Sequence, residues 1–169
     1  VLDPTLLLGD FRNLTGCLTD THTLVYYPLF ALPELERYVT KLGTELGHRV
    51  INANWNKKIF GSIIWNRNSI EGWIKDIAEA EFVITPSFHG VAISIVHHRN
   101  FAVLVAQKDR STRIVSLLSQ LGLESRIFYS IEELDKAKPW NKSIDYSAID
   151  KILIELRKKS MDYLIKSLR

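Results

Sequence analysis

Residues 81–105 read EFVITPSFHGVAISIVHHRNFAVLV, and this stretch decides the fold. Its opening, Glu81 to Thr85 around Phe82-Val83-Ile84, is a short apolar run of strand length, ended by the turn Pro86-Ser87. A short helix is predicted from Phe88 to about His98. Phe101 to Val105 then follows, apolar on both faces, as a central strand of a parallel sheet reads. Strand, helix and strand in immediate succession make a βαβ unit.

The same alternation extends outward in both directions. Upstream, Thr23 to Tyr27 reads as a strand closed by Pro28. A helix is predicted from Pro33, with Leu35, Tyr38, Val39, Leu42 and Leu46 at helical spacing and Gly47 as its stop. Arg49 to Asn52 is a second strand, and 54–68 reads as an irregular, exposed connection rich in Asn, Lys and Trp. Ser69 caps a helix whose apolar face is Ile70, Trp73, Ile74 and Ile77. Downstream, a helix from Ser111 to Leu121 ends at Gly122, Arg126 to Tyr129 is a strand, and Ile131 to Ala137 a small helix. The connection 138–145 leads to a long helix with Ile149, Ile152, Leu153, Leu156, Leu164, Ile165 and Leu168 on one face. The expected architecture is α/β: a Rossmann-like parallel sheet with helices on both faces. Residues 1–22 are a lead-in, 23–146 the sheet domain and 147–169 a terminal amphipathic helix that packs on it.

Composition sets the class. The 169 residues are 46% hydrophobic and 24% charged, as in an ordinary globular domain with a sizeable core. Lys and Arg number 22 against 19 Asp and Glu, a net charge of +3 without a basic stripe, so no nucleic-acid partner is expected. The single cysteine, Cys17, excludes an internal disulfide framework and is expected to be a small buried apolar residue in a reducing compartment. No apolar run approaches the ~20 residues that span a bilayer. No secretory leader is visible, which leads us to expect a cytoplasmic protein. Peripheral contact with a membrane surface stays open. Val1, not Met, starts the chain, and a piece of a longer protein is expected.

In open parallel sheets, ligands bind beyond the carboxyl ends of the strands. Two strand-to-helix turns there carry polar groups. In the first, Ser87 is a natural N-cap, and the amides of Phe88, His89 and Gly90 are expected to face outward toward an anion. Gly90 would let a ligand approach the backbone. His89 puts an imidazole beside that site, where a general acid is useful, although a structural hydrogen-bonding role fits the residue type as well. The second turn, 107–113, offers Lys108, Arg110 and Arg113. The first two read as solvated loop charges. Arg113, in the following helix, can reach back to clamp an anion. His97-His98 suit a helix C-terminus better than a metal, since adjacent residues do not share a helix face. Trp55 and Trp65 could stack on a sugar ring or simply bury surface. Arg157-Lys158-Lys159 reads as the wet face of the last helix. No P-loop, GxGxxG, paired CxxC, HExxH or GxSxG occurs.

Together, Ser69-Ile70-Glu71-Gly72-Trp73-Ile74, Ile77, Ala80, Phe82-Val83-Ile84-Thr85 and Ser87-Phe88-His89-Gly90 resemble the C-terminal signature of polysaccharide pyruvyl transferases. The likeness continues through Ala92-Ile93-Ser94-Ile95, Phe101, Ser111-Thr112-Arg113-Ile114, Leu117-Leu118, Leu121-Gly122-Leu123 and Arg126, and includes the opening Leu2-Asp3-Pro4-Thr5. It covers most of residues 1–130. The resemblance implies the C-terminal half of a GT-B-like two-domain enzyme that works without metal or cofactor. Such an enzyme moves the enolpyruvyl group of phosphoenolpyruvate onto a saccharide acceptor, leaving a pyruvate ketal and phosphate. His89 then matches the active-site histidine, either as proton donor or as stabiliser of the anionic donor. Ser87, Phe88, Gly90 and Arg113 would bind phosphoenolpyruvate. Some members carry Arg where Ser87 stands here. An absent N-terminal domain would supply the acceptor side, so this piece alone is expected to be inactive. Two other functions compete. One is a nucleotide-sugar glycosyltransferase domain, with Glu132 or Glu133 on the ribose. The other is a non-catalytic docking module using the last helix and the Trp-bearing segment.

Overall fold

The structure, a computed structural model, describes residues 1–29, 33–53, 64–65, 69–105 and 111–168. Strands β1 (Thr23–Tyr26), β2 (Arg49–Asn52), β3 (Ile64–Trp65), β4 (Phe82–Ile84), β5 (Asn100–Leu104) and β6 (Ile127–Phe128) form one sheet in the order β3-β2-β1-β4-β5-β6. Every neighbouring pair is parallel. The chain therefore builds outward from β1 in one direction and then restarts beside β1 with β4, placing the switch point between β1 and β4. The expected parallel α/β sheet is present. Ile64–Trp65 adds an edge strand within the segment read as irregular; 54–63, 66–68 and the side chains of Trp55 and Trp65 lie outside the described residues.

The helices are α1 (Pro4–Leu8), α2 (Arg12–Thr15), α3 (Pro33–Leu46), α4 (Ile70–Ala78), α5 (Phe88–Val96), α6 (Thr112–Gln120), α7 (Ile131–Ala137) and α8 (Tyr146–Ser167). They cover both faces because strand side chains alternate. Val25, Val83, Phe101 and Val103 meet Leu6, Ile77, Val91, Ile95, Leu118 and Leu153 on one face. Leu24, Tyr26, Phe82, Ile84, Ala102 and Leu104 meet Leu35, Val39, Leu42 and Leu134 on the other. Local signals place the helix ends as expected. The Ser69 hydroxyl accepts from Gly72 N at 3.3 Å, and Gly47 and Gly122 stop their helices with φ of +68°. Ile70 is the exception on α4: it lies in the first turn, 66% exposed, while Ile74 and Ile77 are buried.

The lead-in is a folded part of this structure. Five-residue α1 is too short to persist alone. Asp3 and Pro4 start it, fully buried Leu6 anchors it, and that burial is worth about 1.5–3 kcal/mol. Its backbone is also tied to α8, since Leu2 N donates to Ser160 Oγ at 2.9 Å and Arg157 Nε to Leu6 O at 2.7 Å. Arg157, read as a wet-face charge, is thus a tether. Two further readings are corrected. Cys17 is exposed, on a turn just past α2, where no strand or helix faces the core. Ile165 and Leu168, expected on the packed face of the last helix, are 48% and 87% exposed, because the contact made by Ile149, Leu153 and Ser160 ends before the helix does. Among the described residues, no helix is long and apolar enough to cross a membrane.

Arg126 is only 5% exposed at the amino end of β6. It donates from Nη1 to Pro139 O at 2.9 Å and from Nη2 to Lys142 O at 2.6 Å, holding the connection into α8. Arg126→Met should lower unfolding free energy by about 2–3 kcal/mol in urea titration, since two charge-assisted bonds are lost in a buried setting.

Candidate active site

The turn after β4 lies at the switch point, where the carboxyl ends of β1 and β4 leave the sheet together. Three backbone and hydroxyl bonds organise it. Tyr27 N donates to Ile84 O at 3.0 Å, Thr85 Oγ1 donates to Tyr27 O at 2.8 Å, and Ser87 N donates to that same Thr85 oxygen at 3.0 Å. The Thr85 hydroxyl thereby fastens the exit of β1 to the entry of α5. Ser87 caps α5 as expected, accepting from Gly90 N at 3.4 Å, and Val91 N makes the first bond of the helix, to Ser87 O at 3.0 Å. The Gly90 amide is therefore engaged within the cap. The amides of Phe88 and His89 precede the first intrahelical bond and have no partner within the helix.

Gly90 is required by its own neighbours. A Cβ there would lie 2.8 Å from Thr85 Oγ1, 3.0 Å from Thr85 Cγ2 and 3.2 Å from Tyr27 Cδ1. On that side the glycine makes room for protein rather than for a ligand.

Arg113 comes to the same place from another element. It stands in the first turn of α6, beyond β5, with its guanidinium 4.3 Å from the centre of the Phe88 ring. Phe88 and His89 in turn pack edge to face at 5.7 Å. A cation in a helix's first turn opposes the helix dipole, so this arginine is not placed to stabilise α6. Its Nη2 donates to Asp3 Oδ2 at 2.8 Å. Asp3 is also the cap of α1, where its Oδ1 accepts from Thr5 N at 3.0 Å. Burial pushes the Asp3 carboxyl upward. The bonds from Thr5 and the nearby charges of His89 and Arg113 more than offset this, and its pKa lies below the ordinary value. Tyr27 closes the other side, packed edge to face on Trp73 at 5.2 Å; burial raises its hydroxyl pKa, with neighbouring Ser87 opposing.

The structure thus brings together Ser87, Phe88, His89, Gly90 and Arg113, drawn from two separate turns. Lys108 and Arg110 lie outside the described residues. Asp3, Tyr27 and Thr85 were not named as site residues in the sequence, although Asp3 and Thr85 lie within the stretches that carry the family resemblance. Asp3 carried a local signal, the Asp-Pro-Thr start of a helix, but nothing local pairs it with an arginine 110 positions away. Glu133 is occupied elsewhere, accepting from Tyr129 N at 2.8 Å while its own amide donates to Ser130 Oγ at 3.2 Å. His98 bridges to Asp150 at 3.1 Å and stacks on Tyr146, joining α5 to α8. Among the described residues, no group of three His, Cys, Asp or Glu side chains could hold a metal ion.

Sheet order and candidate site together define a doubly wound, Rossmann-like α/β domain with a histidine-bearing turn at its switch point. Residues 1–108 match the family model of polysaccharide pyruvyl transferase, and the chain belongs to that family. No curated protein and no solved structure matches the chain.

Gly90→Ala should lower stability by about 1–2 kcal/mol in urea titration, despite alanine's better helix propensity. Thr85 cannot retreat without breaking the two bonds that its hydroxyl makes.

Proposed function

We propose that this chain carries the donor side of an enzyme that moves the enolpyruvyl group of phosphoenolpyruvate onto a sugar, forming a pyruvate ketal and releasing phosphate. The observation that carries the reading is the convergence of His89, the first-turn amides of α5 and the Arg113 guanidinium at one switch point, in a chain of this family. In this scheme the unpaired amides and Arg113 hold the phosphate or carboxylate of the donor. A proton delivered to the methylene carbon turns it into a methyl group and leaves an oxocarbenium-like centre at C2. One sugar hydroxyl then adds to C2, and a second displaces phosphate, each giving up its proton. His89 is the group offered for the first proton, or for charge stabilisation beside the donor.

A saccharide acceptor follows from the family. The proposal places that acceptor on a further, N-terminal domain in a GT-B-like arrangement, and places the reaction in the cytoplasm. The nucleotide-sugar alternative gains nothing from Glu133, whose carboxylate accepts from Tyr129 N just before α7.

Phosphoenolpyruvate titrated into the labelled chain should shift the amide signals of Ser87 to Gly90 and those around Arg113, while a nucleotide sugar leaves them in place. The reverse pattern would favour a glycosyltransferase. In the intact enzyme, His89→Ala should reduce kcat by about 10²–10⁴ while unfolding stays cooperative; unchanged turnover removes His89 from the mechanism.

A further inference from the structure

We propose that Asp3 is a positioning residue of the donor site, its carboxylate holding the Arg113 guanidinium over Phe88 so that the outward edge of the arginine is ready for an anion. The inference rests on the reading of this site as donor-binding, and it adds a residue from the other end of the chain.

The two partners differ in freedom. The side chain of Asp3 is 12% exposed and that of Arg113 is 67% exposed, so the aspartate is the anchor and the arginine the arm. Asp3 is fixed before it meets the arginine. One oxygen accepts from Thr5 N at 3.0 Å in the cap of α1, and the other faces Arg113 Nη2 at 2.8 Å. Leu6, fully buried, locks α1 against the same layer as α5. The guanidinium carbon of Arg113 rests over the Phe88 ring, 4.3 Å from its centre. With Nη2 bonded to Asp3 and the group resting over Phe88, the rest of this largely exposed side chain is left to solvent. The position opposes the dipole of α6, so helix stability does not account for the arginine. An exposed arginine otherwise samples many rotamers, and ordering it on binding weakens the complex.

The arrangement has a second consequence. A carboxylate this close to an anion site repels the ligand unless the arginine stands between them. Removing Asp3 should therefore weaken binding when Arg113 is present and strengthen it, or leave it unchanged, when Arg113 is absent. A purely structural Asp3 would weaken binding in both backgrounds.

Asp3→Ser separates the roles, because serine keeps a good N-cap but is too short to reach Arg113; Asp3→Asn, which keeps shape and cap but removes the charge, is the second variant. Two measurements on the full chain decide. In the ligand-free protein, the Arg113 Nε–Hε signal should move and exchange faster in Asp3→Ser. The dissociation constant for phosphoenolpyruvate should rise about three- to tenfold in Asp3→Ser, with no rise when the substitution is added to Arg113→Ala. An unchanged Nε signal, or an equal loss of affinity in both backgrounds, overturns the proposal. If the unsubstituted chain ignores phosphoenolpyruvate, the donor reading fails, and the Nε signal still decides whether Asp3 positions Arg113.

Discussion

Everything at the candidate site depends on the hydroxyl of Thr85. By donating to Tyr27 O and accepting from Ser87 N, it joins the carboxyl ends of two strands that are distant in sequence and adjacent in the sheet. Those strands, β1 and β4, flank the switch point, where ligands bind in sheets of this kind, and the helices that follow them, α3 and α5, pack on opposite faces. Gly90 completes the joint by letting α5 start against Thr85 without a side chain between them. A looser joint would leave the first turn of α5, and the imidazole it carries, without a fixed direction.

The electrostatics of the site follow from where the charges are anchored. The amino end of α5 offers donors without a compensating side chain of opposite sign on its own helix. Arg113 adds a cation from α6, and Asp3 moderates it from α1. Exposed ion pairs contribute little to stability, about 0.2–1 kcal/mol, so the Asp3–Arg113 contact matters for geometry more than for folding. Its separation from the apolar core fits that division. Leu6 and the strands supply the folding energy, and polar groups at the rim set the orientation.

The strands and helices were legible because each carries its own periodicity. Phe101 to Val105 is apolar throughout, and β5 is indeed buried on both faces. Ser69 and Ser87 announced their caps, and Gly47 and Gly122 their stops. The misreadings fall where a local pattern met no partner. Ile165 and Leu168 keep the helical spacing of a packed face, but α8 has by then run past the surface it covers. Cys17 follows a general tendency of its residue type, and a turn at the end of α2 left it outside.

By itself, the sequence determined the parallel α/β class, the helix-starting Ser87 and the histidine two residues beyond it, because these depend on neighbours within a few positions. Tertiary structure alone decided that the turn after β4 sits at the switch point, since strand order is a property of pairing and not of any strand. It also decided that Thr85 and Tyr27 crowd the Cβ position of Gly90 and that Arg157 is a tether. The pairing of Asp3 with Arg113 belongs to the same class of facts. It spans 110 residues and requires α1, α5 and α6 to settle on one face of the sheet, a result of shared apolar burial that no local pattern encodes.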